Sequence, residues 1–169
     1  MREFGQVSPR GYNSPMKFHL RESRGEDFDT LWKIDQLCFP PGIAYSRLEL
    51  KVYMKRRSSF TLVAEADSGG EVLGFLVAEA GRRRSGHIIT IDVLPQARRF
   101  GIGSQLLRQA ESRLADTDCD TVLLETAVDN APAIAFYKRH GYFLIKTISR
   151  YYSNGVNALV LQKDLVVPA

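Results

Sequence analysis

Two short stretches carry side chains whose types and spacing suit chemistry on a phosphate-bearing ligand. The first is Arg98-Arg99-Phe100-Gly101-Ile102-Gly103-Ser104. It follows an apolar strand pattern and opens an amphipathic helix. At such a junction glycines let the backbone approach an anion with no Cβ in the way, and the helix end offers unpaired N–H groups and a positive dipole. Two arginines add charge. The same Gly-x-Gly spacing serves equally as a tight strand-to-helix turn with no ligand, so the stretch alone leaves both readings open. A nucleoside-triphosphate loop would need Gly-Lys-Ser/Thr where Gly103-Ser104-Gln105 stands. A dinucleotide fold would need a third glycine and an acid at a later strand end.

The second stretch runs from Glu125 through Asn130 to Tyr142. Asn130 suits a helix N-cap, Pro132 falls in the first turn where its missing N–H does no harm, and Gly141 supplies the stop. A carboxylate at Glu125 can accept a proton. A phenol at Tyr137, with a pKa of about 10, can give one at neutral pH. Spacing alone also allows Tyr137 as a core aromatic and Glu125 as an exposed strand acid.

Around these stretches the patterning predicts the elements that must position them. Residues 17–21 alternate as a strand, and Phe28, Leu31, Trp32, Ile34 and Leu37 form a helical stripe over Asp27 to Cys38, ended by Phe39-Pro40-Pro41-Gly42. Ser46 and Glu49 make a capping box for a second helix. Phe60 to Ala66 and Val72 to Ala80 flank the hairpin signal Asp67-Ser68-Gly69-Gly70, and His87 to Leu94 is a third β segment stopped by Pro95. A helix over Gly103 to Leu114, a strand over Thr121 to Thr126 and a helix over Asn130 to Arg139 follow. Two last strands, 142–150 and 156–163, meet at Ser153-Asn154-Gly155. The expected order is β-α-α-β-β-β-α-β-α-β-β: one α/β domain over 17–165, with a mixed, mostly antiparallel sheet flanked by helices. Residues 1–16 read as a flexible leader.

Composition narrows the function classes. The chain has 169 residues, 44% hydrophobic and 25% charged, which suits one globular domain with a real core. No apolar run reaches the roughly 18 residues that span a bilayer, and the N-terminus lacks a secretory apolar core, so a cytoplasmic protein with no membrane partner is expected. Cys38 and Cys119 make no disulfide framework, and no Cys/His cluster has metal-ligand spacing, so no metal is expected. The net charge of +4 is compatible with an anionic cofactor; without basic-aromatic interleaving it gives little support to nucleic acid. Arg82-Arg83-Arg84 lies between two apolar segments and reads as a solvated hairpin turn, with a phosphate or partner contact as the alternative.

Together the two stretches resemble the Gcn5-related N-acetyltransferase (GNAT) superfamily. Its Arg/Gln-x-x-Gly-x-Gly/Ala signature is met by Arg98, Gly101 and Gly103, and its Asn-x-x-Ala-x-x-Phe/Leu-Tyr helix by Asn130, Ala133, Phe136 and Tyr137. Element order and motif spacing extend the likeness over 17–165, so a single GNAT-like domain is expected. Softer matches point to the ribosomal-protein-alanine and archaeal-type protein N-terminal acetyltransferases: Leu124-Glu125 before Asn130, the Cys38-Phe39-Pro40 turn, and Tyr151-Tyr152 with Leu159 to Lys163.

The resemblance implies direct acetyl transfer from acetyl-CoA, a co-substrate, to the free N-terminus of a protein or peptide such as a ribosomal protein. Glu125 would be the general base, through a water, and Tyr137 the general acid. Backbone groups of Ile91, Asp92 and Val93 would hold the pantetheine arm like an added strand, one N–H polarising the carbonyl. Arg98, Arg99, Phe100, Gly101, Ile102, Gly103 and Ser104 would cradle the pyrophosphate, and Asn130 would bond the pantetheine or the helix start. The acceptor would enter between Phe39–Tyr45 and Tyr151–Tyr152, making Phe39, Tyr45, Tyr151 and Tyr152 substrate-binding; half-buried surface tyrosines are the plainer reading. Asp92 departs from the small or apolar residue expected beside the thioester. A small-molecule amine acetyltransferase, favoured by a closed acidic pocket, is one rival. The other is a non-catalytic acetyl-CoA-binding module, against which Glu125 and Tyr137 argue.

Overall fold

Alternating and fully apolar runs decide the layers. In the computed structural model, which describes residues 15–165, the elements are β1 (Phe18–Glu22), α1 (Phe28–Cys38), α2 (Arg47–Lys55), β2 (Ser59–Ala66), β3 (Val72–Ala80), β4 (Ser85–Val93), α3 (Ile102–Asp116), β5 (Thr121–Ala127), α4 (Ala131–Arg139), β6 (Phe143–Ile148) and β7 (Ala158–Asp164). The expected order of helices and strands is the observed one. Short 3₁₀ turns at Gly25–Asp27 and Pro95–Ala97 are added. Most of the leader expected over 1–16 lies outside the described residues.

Local rules hold where they were legible. Ser46 Oγ accepts the Glu49 N–H at 3.1 Å and Glu49 Oε2 accepts the Ser46 N–H at 2.8 Å, a reciprocal cap for α2. The Arg82–Arg84 stretch is a turn: Ser85 donates to the Arg82 carbonyl at 3.2 Å, and Arg84 Nε donates to the Asp118 carbonyl at 3.0 Å. The last hairpin differs from expectation. β6 stops at Ile148 rather than 150, because Arg150 turns to a φ of 51° that no strand continues through.

The seven strands lie in the order β1-β2-β3-β4-β5-β7-β6, and every neighbouring pair is antiparallel except β4 and β5. The connection between those two runs through α3, the crossover that a parallel pair requires. α3 buries Ile102, Leu106, Leu107, Ala110 and Leu114 on one face of the sheet. There Gly86 leaves room for Leu114, whose Cδ1 would lie 2.7 Å from an added Cβ. α1 packs through Leu31 and Ile34 on the other face.

One irregularity in β4 governs the site. Val77 pairs with Thr90 but Ala78 pairs with Ile88, so Ile89 is an extra residue, a β-bulge. Glu79, Val77 and Phe75 share a face by two-residue alternation, and their partners are His87, Thr90 and Asp92. The bulge therefore brings one odd-numbered and two even-numbered residues to the α1 face, where regular pairing would have split them. The parallel ladder to β5 covers only Ser85–Thr121, Gly86–Val122 and His87–Leu123. Beyond it, as the bulge begins, the strands part although β4 continues to Val93 and β5 to Ala127.

Beyond the ladder to β5, β3 is the one strand that pairs with the end of β4, so the fit there should be sensitive. A Cβ on Gly74 would stand 2.5 Å from the Asp92 carbonyl oxygen and 3.2 Å from Val93 Cα. Gly74→Ala is expected to lower stability by about 1–3 kcal/mol, the usual cost of overpacking, read by thermal melting. A melting temperature equal to the parent's would show that this strand end shifts freely.

Candidate active site

The gap between β4 and β5 presents unpaired backbone. The Leu94 N–H donates to the Leu73 carbonyl at 2.9 Å, so the hydrogen-bonded pairs of the β3–β4 ladder are Leu94 with Leu73, Asp92 with Phe75 and Thr90 with Val77. The alternate residues, Ile91 and Val93, point their N–H and C=O groups away from β3, into the gap. Of the expected segment Ile91–Val93, Asp92 thus turns its backbone to β3 and its side chain to α1. The Val93 carbonyl already accepts from Arg98 Nε at 3.0 Å and from Cys38 Sγ at 3.5 Å.

At the end of this gap lies the cradle. Arg98 donates its N–H to Pro95 at 3.4 Å, and Gln105 closes the first helical bond to the Gly101 carbonyl at 3.0 Å. Each backbone N–H between them, from Arg99 to Ser104, has no acceptor among the described residues. Gly101 sits at the helix N-cap with a φ of 82° and no side-chain cap, and Arg99 has a φ of 68°. Left-handed residues at Arg99 and Gly101, with Phe100 between them, suit a nest in which successive N–H groups face one anion. Gly101 is needed for its conformation, since no atom lies within 4 Å of a Cβ placed there; at Gly103 an added Cβ would meet the Phe136 ring at 3.4 Å. A run of unsatisfied donors beside arginines fits the pyrophosphate of acetyl-CoA. The Ser104 side chain is otherwise engaged. His140 Nδ1 lies 2.8 Å from the Phe136 carbonyl and so carries a hydrogen; in a neutral ring Nε2 then accepts from Ser104 Oγ at 2.9 Å.

Across the gap, β5 presents Glu125 and α4 presents Tyr137. Glu125 Oε2 lies 2.6 Å from His87 Nε2, and because a carboxylate only accepts, the imidazole donates. His87 Nδ1 stands 3.9 Å from Glu79, which Arg56 grips at 2.8 Å. This partner of Glu125 was not legible in the sequence: a lone strand histidine gives no signal until the register sets it two residues from Glu125 across the ladder. Tyr137 packs edge-on to Phe136 and Tyr142, and burial, then the nearby Asp92, push its phenol well above the usual range, so it stays protonated. Asn130 caps α4 through Oδ1, 3.3 Å from the Ala133 N–H, with its amide NH₂ unengaged among the described residues.

Two loops wall the α1 side. Ser153 Oγ donates to the Gly42 carbonyl at 2.9 Å, and a Cβ on Gly42, which has a φ of 88°, would lie 2.6 Å from Asn154 Cβ. The Phe39–Tyr45 segment therefore touches the turn just after Tyr152, and Tyr45 lies within electrostatic reach of Tyr151 and Tyr152. Tyr45 Oη donates to the bulge carbonyl of Ile89 at 3.3 Å, and its ring meets Tyr53 edge-on at 5.3 Å. Tyr151 and Tyr152 meet edge-on at 4.9 Å. Tyr152 is within electrostatic reach of both Glu125 and Tyr137. Phe39, half-buried, begins the first loop as the C-cap of α1. Nearby, burial pushes the Cys38 thiol up to about 11, which leaves it no useful thiolate at neutral pH.

Comparison with known proteins identifies the family and the fold. The model of the acetyltransferase (GNAT) family matches residues 28–142. The N-alpha-acetyltransferase of Sulfurisphaera tokodaii is 31% identical over 161 residues, covering 88% of this chain and 94% of that protein. Among solved structures, Ard1 from Thermoplasma volcanium superposes with a TM-score of 0.80 at 26% identity, covering 89% of this chain and 99% of Ard1. Chaetomium thermophilum Naa20 in complex with a bisubstrate analogue gives 0.73 at 26% identity, covering 86% of each chain.

If the unpaired N–H groups around Gly103 hold the cofactor's phosphates, Gly103→Val should weaken acetyl-CoA binding by about tenfold or more, the scale of one or two lost charge-assisted hydrogen bonds. Calorimetry measures the affinity and circular dichroism confirms the fold. Unchanged affinity in the folded variant would remove the cradle from the site.

Proposed function

The chain belongs to the acetyltransferase (GNAT) family, and from that premise we propose that it moves the acetyl group of acetyl-CoA to the free α-amino group of a protein N-terminus, a ribosomal protein being one such acceptor. The observation that carries this reading is the Glu125–His87 pair at the mouth of the β4–β5 gap; the proposed acceptor trough runs beside it between Tyr45, Tyr151 and Tyr152, which lie within electrostatic reach of one another. Its rim is reached by solvent, since Tyr151 is 45% exposed. A chain end can lie in it, whereas a small-molecule enzyme is better served by a closed acidic pocket. A depression of about 530 Å³ does lie between the Gly25–Asp27 turn, α1 and α2, but Arg47 and Lys51 line it and it contains none of the site residues. The name N-alpha-acetyltransferase carried by the Sulfurisphaera relative supports the same acceptor.

The donors from Arg99 to Ser104 would hold the pyrophosphate, and the Ile91 and Val93 edge the pantetheine arm, with the Asn130 amide free to donate to it. Acetyl-CoA, when bound, supplies an acetyl group activated as a thioester. Glu125, fixed by His87, takes the proton that the acceptor must lose before it can attack. An α-amino group titrates at about 7.7–8.0 and a lysine at about 10.4, so this step is far easier for a chain end than for a side-chain amine. Tyr137, kept protonated by burial, supplies a proton to the leaving sulfur. Cys38, with its thiol pushed up to about 11, is a poor covalent relay, which favours direct transfer. Among the described residues no helix is long and apolar enough to cross a membrane. Newly made chains carry free amino termini in the cytoplasm, so that is the compartment the proposed activity calls for.

Replacing base and acid separately tests this division of labour. Glu125→Gln should lower turnover of a peptide acceptor by roughly 10²–10⁴ at neutral pH, and part of the loss should return in alkali, where solvent already deprotonates the amine. Tyr137→Phe should lose turnover with no alkaline recovery. Near-normal rates in both variants would leave positioning alone to carry the reaction.

A further inference from the structure

Asp92 is not used by the chemistry above. Its side chain is 1% exposed, and it faces Asp35 of α1, which is fully buried. Two carboxylates in such a place repel each other and cannot both ionise at little cost. The hydrogen bonds around them show how they coexist. Asp92 Oδ1 accepts from Thr90 Oγ1 at 2.6 Å. Asp35 Oδ2 accepts the Tyr45 backbone N–H at 2.8 Å and Gln36 Nε2 at 3.2 Å. The two remaining oxygens, Asp35 Oδ1 and Asp92 Oδ2, are buried and have no partner among the described residues. One hydrogen on Asp92 Oδ2, donated to Asp35 Oδ1, satisfies both.

We propose that Asp35 and Asp92 share a single proton across the contact between α1 and β4, and that this shared proton fixes the Phe39–Tyr45 loop against the cofactor strand. The two are positioning residues for the incoming amine, an assignment that rests on the acceptor trough proposed above. Asp35 holds the loop through the Tyr45 N–H, and Tyr45 in turn bonds the Ile89 bulge. Asp92 sits on the strand whose Ile91 and Val93 edges face the gap. Losing the shared proton would place two charges between these elements and loosen the loop.

The surroundings set the direction of titration. Burial raises both groups, Asp35 to about 6 and Asp92 well above the carboxylate range. Charged or titratable neighbours on the packed elements are Glu49 of α2, which raises Asp35, Arg98, which lowers Asp92, and the protonated Cys38, Tyr45 and Tyr137. With both folded values above the unfolded ones, the folded protein binds more protons. The stability from this pair is complete below the unfolded carboxylate value and declines as pH rises through about 6 and beyond.

Asp92→Asn keeps a donor toward Asp35 Oδ1 and removes the titration, whereas Asp92→Leu removes the donor. Infrared spectra of the full chain near neutral pH should show the carbonyl stretch of a buried protonated carboxyl, absent in Asp92→Asn. Asp92→Asn should melt at or above the parent temperature in alkali, with the difference shrinking in acid. Nuclear magnetic resonance should find the Tyr45 amide proton protected in the parent and in Asp92→Asn, and exposed to exchange in Asp92→Leu. The Michaelis constant for an acceptor peptide should rise about tenfold in Asp92→Leu and be restored by Asn, the constant for acetyl-CoA changing less. A missing infrared band, or an Asp92→Asn protein that behaves as Asp92→Leu, would overturn the proposal. The spectra, melts and amide exchange need no acceptor, so a normal band and a protected Tyr45 amide without peptide turnover would count against the peptide reading alone.

Discussion

The site depends on a parallel strand pair that is not allowed to finish. β4 and β5 share three residue pairs, and then Ile89 interrupts the ladder of β4 with β3. A bulge adds local twist, and twist turns the rest of β4 away from β5. Unpaired backbone N–H and C=O groups are costly when buried, so a strand edge left open in the middle of a sheet requires water or a ligand to complete it. Here the edge belongs to Ile91 and Val93, and the run of unsatisfied donors from Arg99 to Ser104 continues it. One long, flexible ligand with amide groups and a phosphate end satisfies both features at once.

The same bulge organises the opposite face. By shifting the alternation it sets His87, Thr90 and Asp92 side by side above α1, so that the proposed proton transfer, loop anchoring and cofactor binding all draw on one short strand. Its freed carbonyl receives the Tyr45 hydroxyl, which ties the Phe39–Tyr45 loop to the irregularity beside the β4–β5 gap. Burial then sorts the ionisable groups: Tyr137 and Cys38 are held protonated, while Glu125 keeps contact with solvent and with an imidazole donor. In the proposed reaction donor ligand and acceptor amine meet at the parting of the strands.

What the sequence made legible was local. The Arg98–Ser104 turn, the Asn130 cap, the Ser46–Glu49 box and the order of elements follow from rules that act within one helical turn or one hairpin, and all appear in the structure. What stayed hidden depended on register between distant segments. His87 and Glu125 are 38 positions apart, and Ser153 and Gly42 are 111 apart. The adjacent apolar pair Ile88-Ile89 breaks the alternation of Ser85 to Val93, but one such pair does not by itself show that Ile89 is an extra residue, because that depends on the register with β3. Asp92 stood out only as a charge where an apolar residue was expected. Its partner Asp35 lies on a helix whose apolar stripe gave no reason to single it out.

Amide hydrogen exchange along β4, with and without coenzyme A, tests the claim that the gap is a half-built sheet edge completed by the cofactor. Added coenzyme A should slow exchange of the Ile91 and Val93 amides and of those from Arg99 to Ser104. The Asp92 amide, already bonded to β3, and those of Ser85 to His87 should change little. Protection spread evenly over β4, or absent at Ile91 and Val93 while coenzyme A is bound, would contradict the account.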